Sequence, residues 1–239
     1  MDVVIGTAGW SISRDAASAF PAEGSSLERY ATRFRGAEIN SSFHRAHRRS
    51  TWEKWGASVP EDFRFAAKLP KTITHQAKLA GCDALVDAFL KEVAALGPKL
   101  SILLVQLPPK LAFDAGLVAP FLAHLSERST DRIACEPRHP SWFEEAPDRL
   151  LGQLKVARVA ADPAIVPAAA EPGGWPGLHY WRLHGSPVIY RSPYGAERVS
   201  DYAGRICRGG AAEAWCMFDN TASSAATGDA LALAGQLEA

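Results

Sequence analysis

Lys68, Glu136, Arg138, Asp162, Arg182 and His184 each stand at or just beyond the end of a short apolar run, a placement that calls for chemistry more than for solubility. Asn40 follows the run Ala37–Ile39, Lys68 follows Phe63–Ala67, and Gln106 lies near the end of Leu100–Leu107. Glu136 and Arg138 follow Ile133–Cys135, Asp162 closes Val156–Ala161, and Arg182 with His184 ends Leu178–Leu183. Asp219-Asn220 follows Ala214–Phe218. Side chains alternate along a strand, so Glu136 and Arg138 share one face, as do Arg182 and His184. Leaving such groups buried and unpaired costs at least about 1–3 kcal/mol each, so they are expected to converge on one another or on a ligand. Acids, bases and fixed cations together suit proton transfer beside an anion or a developing oxyanion. Glu136 is the first candidate for general acid or base, with Lys68 or His184 as proton partner and Asp162 orienting one of them. Arg138 and Arg182 are expected to clamp a carboxylate or phosphate. The plainer alternative is an ion-pair network that only holds the strand ends together.

His75, Glu136, Asp162 and His184 are the residues that could ligate a divalent metal, as a metal-dependent phosphodiesterase would require. No HxxxH or HExxH spacing supports such a centre, and three nearby cations would repel it. No cofactor is expected, and a metal is the lesser alternative. Arg45, His47, Arg48 and Arg49 form a basic cluster after the second apolar run. It offers either a solvated loop or a second function class, nucleic-acid or nucleotide binding, in which Trp10, Trp142 and Tyr194 would stack on a base or sugar. Trp52 and Trp55 have helical spacing and read as core. Asn220-Thr221-Ala222-Ser223-Ser224 opens the last helical stretch and offers either a phosphate seat or ordinary capping. Tyr190 and Tyr194 flank Pro193 where a lid would sit.

The elements that must hold these residues are legible as eight short apolar runs: the seven above and Val3–Ile5. Their length and their Val, Ile, Phe and Trp content suit buried parallel strands. Most are followed by helical stretches. Ser25 and Glu28 have capping-box spacing ahead of a helix reaching Phe34. Helices are also predicted over 50–55, 83–96, 114–125, 147–154 and 223–237. Eight strands in 239 residues leave roughly 30 residues per βα unit, which predicts a single-domain α/β protein of the TIM (β/α)8 type. An open doubly wound sheet would carry a Gly-rich phosphate turn after its first strand, and Gly6-Thr7-Ala8-Gly9-Trp10 lacks the third glycine.

Composition narrows the classes further. The chain is 47% hydrophobic, and its 26 basic residues balance 26 acidic ones. Disorder is excluded, and a general nucleic-acid binder would carry a basic surplus. Four scattered cysteines without a CxxC pair, no signal-peptide pattern and no apolar run of membrane length predict a cytoplasmic protein. The expected partner is a small anionic ligand. Oligomeric state is left open.

Several strings, in order, resemble the domain-of-unknown-function family 72, also called the YecE-like family. They are Gly6-Thr7-Ala8-Gly9-Trp10, Glu38-Ile39-Asn40-Ser41-Ser42-Phe43, Phe65-Ala66-Ala67-Lys68-Leu69-Pro70 with Ile73-Thr74-His75, and Gln106-Leu107-Pro108-Pro109. Glu136-Pro137-Arg138-His139-Pro140-Ser141-Trp142-Phe143, Arg182-Leu183-His184-Gly185 and Phe218-Asp219-Asn220-Thr221 complete the set. The resemblance covers nearly the whole chain and implies a TIM-type barrel, but it supplies no activity. His44 stands where the family pattern has Tyr, and Asp219 where it has Asn. Both lie near the expected site, so a shifted substrate preference is expected.

Overall fold

A computed structural model describes residues 1–238. The eight expected strands are all present: β1 (Asp2–Thr7), β2 (Gly36–Ile39), β3 (Arg64–Lys68), β4 (Leu100–Gln106) and β5 (Arg132–Glu136), then the run 156–162, β9 (Leu178–Leu183) and β10 (Glu213–Phe218). The run 156–162 is divided at Val159 into β6 (Val156–Arg158) and β7 (Ala160–Asp162). A two-residue strand β8 (Gly173–Gly174) pairs antiparallel with β6 inside the expected loop 168–177. Two sheets result, in the orders β1-β10-β9-β7 and β2-β3-β4-β5-β6-β8, parallel except for β8. This is a mixed α/β fold.

The sheets touch at two places. A parallel bridge links Ala8 to Glu38, with the Gly9 N–H donating to the Glu38 carbonyl at 2.8 Å. At the other edge, β6 pairs with β5 while β7 pairs with β9, so one continuous run contributes to both sheets. The β1–β2 approach depends on glycine. A Cβ at Gly6 would lie 2.2 Å from the Gly36 carbonyl oxygen, and one at Gly36 would meet Val4 Cγ1 at 2.3 Å. Buried Tyr30 seals this seam, accepting from the Thr7 N–H at 2.8 Å and lying 3.1 Å from the Gly36 carbonyl oxygen as donor. The glycines of Gly6-Thr7-Ala8-Gly9 thus serve close backbone approach, not a phosphate.

Strand alternation divides the apolar residues into two cores. Val4, Ala66, Ile102, Leu104, Ala134, Ala157, Val159, Tyr180, Trp215 and Met217 form one cluster drawn from both sheets. A larger cluster packs the opposite strand faces against the helices, with Trp52, Phe65, Leu103, Val105 and Trp181 at its centre. Helices α1 (Ser26–Tyr30), α2 (Ser41–His44), α3 (Arg49–Ala57), α4 (Asp83–Val93), α5 (Ala115–Arg128), α6 (Glu145–Gln153) and α8 (Ala226–Glu238) cover the strands. The capping box at Ser25 is formed, with its side chain accepting from the Glu28 N–H and Glu28 accepting from the Ser25 N–H. The sequence reading omits α7 (Ala196–Arg208), which buries Val199, Tyr202, Ala203 and Ile206 at i, i+3, i+4 and i+7. Its many charged residues obscure that stripe.

Candidate functional site

Apart from the short β8, strands within each sheet run parallel, and the Ala8–Glu38 bridge is parallel too, so their C-terminal ends lie on one side. Alternation then continues the enclosed apolar cluster upward into polar residues. Ala66 leads to Lys68, Leu104 to Gln106, Ala134 to Glu136, Tyr180 to Arg182 and His184, and Met217 to Asp219. Glu38, on β2, joins the same layer through Tyr180, whose hydroxyl donates to its Oε2 at 2.8 Å.

Arg182 is the hub. Its Nε and Nη2 hold the Glu38 carboxylate at 2.9 and 2.6 Å, Nη1 reaches Glu136 Oε2 at 2.5 Å, and Nη2 reaches Asp219 Oδ2 at 3.0 Å. All of this is sealed, with Arg182, Glu38 and Glu136 each 0% exposed. His184 bridges two of these carboxylates, with Nδ1 3.0 Å from Asp219 Oδ2, the oxygen Arg182 also reaches, and Nε2 2.9 Å from Glu136 Oε1. Arg138 Nη2 completes the circuit at 2.5 Å from Glu136 Oε1 and 2.8 Å from His184 Nε2. Burial pushes the Glu136 carboxyl up, but Arg138, Arg182 and His184 outweigh it and hold the group well below the usual carboxylate range. The same opposition, with Arg182 the largest lowering influence, holds Asp219 down. Burial and the Glu38 charge push the Tyr180 phenol well up, so it stays a donor.

Lys68 is different in kind. It is only 8% exposed, yet among the described residues its Nζ makes no hydrogen bond or ion pair. The ammonium instead lies 4.3 Å from the centroid of the Phe43 ring. Burial and the charge of Arg182 pull its pKa down to about 8, against the weaker opposite pull of Glu136, Glu38 and Asp219. Phe43 also meets the edge of His75 at 4.9 Å. His75 is half-buried in a turn of π-helix, its Nδ1 2.9 Å from the Thr74 hydroxyl. Burial and then Lys68 lower its pKa.

The other expected residues distribute unevenly. Gln106 is half-buried beside Glu136, and among the described residues its side chain has no partner. Asn40 Oδ1 and Arg138 Nε are buried without partners. Asn220 turns away toward α8, its Nδ2 donating to Asp229 Oδ2 at 2.6 Å and to the Ser192 carbonyl at 3.0 Å. Trp10 packs edge-on against Trp55 at 5.1 Å, inside an aromatic group with Trp52 and His47. Trp142 is wholly buried and donates to the Leu111 carbonyl, so it presents no stacking face. Arg45 is exposed, and Arg49 pairs with Glu53.

Two placements differ from the sequence reading. Asp162 does not join Glu136: its Oδ2 accepts from the Tyr194 hydroxyl at 2.5 Å and from Arg198 at 2.6 Å. Val159 belongs to the enclosed cluster, so alternation sends Asp162 to the other face. Tyr194, buried under that carboxylate, also accepts from the Gly185 N–H at 3.0 Å and fixes the loop after β9. It is a brace, not a stacking platform. Arg182, likewise, is saturated by buried carboxylates and has no open side from which to clamp a ligand. Glu38 was missed, although a carboxylate between Ala37 and Ile39 in an apolar run was its own signal. Among the described residues, no three His, Cys, Asp or Glu side chains are grouped so as to hold a metal ion, and no helix is long and apolar enough to cross a membrane.

Comparison with known proteins agrees with the strings quoted above. The chain is 34% identical over 151 residues to the UPF0759 protein YecE of Escherichia coli K12, an alignment spanning 60% of this chain and 54% of that protein. The chain thus covers about half the length of that relative. A DUF72 family protein from Enterococcus faecalis superposes with a TM-score of 0.83 at 20% identity, covering 99% of this chain and 96% of that one. Another from Thermotoga maritima gives 0.81 at 22% identity, with both chains fully covered. These likenesses concern the fold. The family model described as protein of unknown function DUF72 matches residues 4–239, and the chain belongs to that family.

Proposed function

We propose that the protein is an enzyme acting by acid/base chemistry on a small substrate bearing a carboxylate or phosphate, at the C-terminal mouth of a TIM-type (β/α)8 ring. Three features support the ring: the Ala8–Glu38 bridge, the run 156–162 shared between the sheets, and the enclosed cluster drawn from both. Active sites of such rings gather at that end. The observation that carries the proposal is unspent donor capacity above a saturated network. Arg138 retains a guanidinium edge with an unpartnered Nε, and Lys68 an unpaired ammonium, while both oxygens of Glu38 and of Glu136 below are already bonded. A purely structural ion-pair network leaves no such surplus, because an unpaired buried charge is expensive.

In this reading Arg138 and Lys68 take the anion, Gln106 and Asn40 orient it, and the Glu136–His184 pair moves the proton. Arg182, Glu38 and Asp219 position that pair. Inorganic phosphate and acetate, titrated calorimetrically, are the test of the anion seat. Binding is expected to weaken about tenfold or more in Arg138→Gln, from the loss of a charge-assisted contact. Equal binding by wild type and variant overturns the seat. For any substrate the wild type converts, Glu136→Gln is expected to abolish turnover while circular dichroism stays native. An unchanged rate overturns the role of Glu136.

A further inference from the structure

We infer that Lys68 is a covalent catalyst, whose Nζ condenses with the carbonyl carbon of a small 2-oxo acid to form an imine, the oxo acid's carboxylate resting on Arg138. This rests on the anion-site reading above and names its substrate class.

The eight lysines of the chain are not equivalent. Lys54, Lys71, Lys78, Lys91, Lys110 and Lys155 are exposed. Half-buried Lys99 is spent on the carbonyls of Gly56 and Val59, both at 2.6 Å. Lys68 alone is buried, and it has no acceptor among the described residues. Its surroundings would let it be neutralised easily, since three carboxylates lie nearby. Yet Arg182 holds Glu38, Glu136 and Asp219, His184 bonds Glu136 Oε1 and Asp219 Oδ2, Arg138 bonds Glu136 Oε1, and none of the three carboxylates reaches ion-pair distance of Lys68. The network therefore withholds counter-ions from the amine. An amine that serves only as a point charge gains from an acceptor, whereas one that must shed its proton and attack carbon is served by burial and a neighbouring cation. The buried position and Arg182 supply those two conditions, and the Phe43 face, which touches the ammonium, leaves its nitrogen without a hydrogen-bond acceptor.

The step balances without any further reagent. The neutral amine attacks the carbonyl carbon, a C–N bond forms, and the C=O π pair moves to oxygen. That oxygen takes up the proton released by the ammonium, giving a carbinolamine. The nitrogen lone pair then expels the hydroxyl as water with one more proton, which the nitrogen loses. In sum, ammonium and carbonyl become iminium and water, with charge conserved. The iminium withdraws electrons from the adjoining carbon, so the reaction class is bond-breaking beside the former carbonyl.

The test is reductive trapping on the intact protein. Pyruvate, and separately propanal, is added at pH 8 with borohydride, and peptide mapping by mass spectrometry locates the secondary amine formed. With pyruvate, the Lys68 peptide is expected to carry at least about tenfold more label than those of Lys71 or Lys110, as buried amines of lowered basicity do. Arg138→Gln is expected to reduce the pyruvate label and leave the propanal label, and Lys68→Arg to remove both at that peptide. Label spread evenly over the exposed lysines of the wild type overturns the inference, whether or not any variant folds. If phosphate still binds in an Arg138-dependent way, covalent catalysis alone fails. If phosphate also does not bind, the anion site falls with it.

Discussion

Lys68 and Glu136 carry opposite electrostatic consequences although they share one layer. A lysine with a pKa near 8 in the folded chain, below the value of about 10.4 in an unfolded one, destabilises the fold while it is charged. That penalty is fully present below pH 8 and disappears as pH rises toward 10, because the unfolded chain binds the extra proton across that window. Lys68→Met is therefore expected to raise the melting temperature at pH 7, by up to about 3 kcal/mol of stability. The gain should shrink steadily between pH 8 and 10. Calorimetry of both proteins across that range checks it, and a pH-independent difference would show that the ammonium bears no such penalty. Of the residues in this layer, Lys68, Glu136, Arg138, Arg182 and His184 were visible in the sequence as polar groups ending apolar runs. Glu38 was hidden by being inside its run. Asp162 was misassigned although Arg158, on the same alternating set, already marked the face turned away from Ala157 and Val159.

Among the elements, the β1–β2 seam shows most directly how sequence sets geometry. Gly6 and Gly36 allow two backbones to approach within a distance any side chain would prevent. Gly6→Ala is expected to cost about 1–3 kcal/mol by overpacking, since the contact it meets is backbone and cannot swing aside. Because Glu38 sits two residues beyond Gly36, the shift should also loosen its hold on Arg182. Urea unfolding measures the first effect and phosphate affinity the second; a fully stable Gly6→Ala would remove the seam as a constraint. The helices α1, α3, α4, α5, α6 and α8 followed their capping and spacing signals to within a few residues. By contrast α7 was passed over, although Val199, Tyr202, Ala203 and Ile206 keep helical spacing. Glu197, Arg198, Asp201, Arg205 and Arg208, set among those four, mask the stripe.

Across the molecule, the Arg182 hub ties strands of both sheets through ionised carboxylates, which makes folding sensitive to acid. The folded-state pKa values of Glu136 and Asp219 lie below their unfolded values, so their contribution is complete above about pH 5 and is lost as pH falls below it. Urea midpoints are expected to drop steeply between about pH 5 and pH 2, and Glu136→Gln to flatten that slope. Parallel slopes for the two proteins would mean that the network does not govern acid unfolding.

The order of strands and helices, and the clustering of polar residues at strand ends, could be read from the chain because both follow from short-range periodicity. The pairing of charges could not. Glu38 and Arg182 are 144 residues apart, and they meet only because parallel registers across two sheets bring β2 and β9 to one height. Local spacing carries no record of that register. It is the convergence of the polar layer that decides which cations are consumed by carboxylates, as Arg182 is, and which keep donor capacity, as Lys68 and the Nε of Arg138 do.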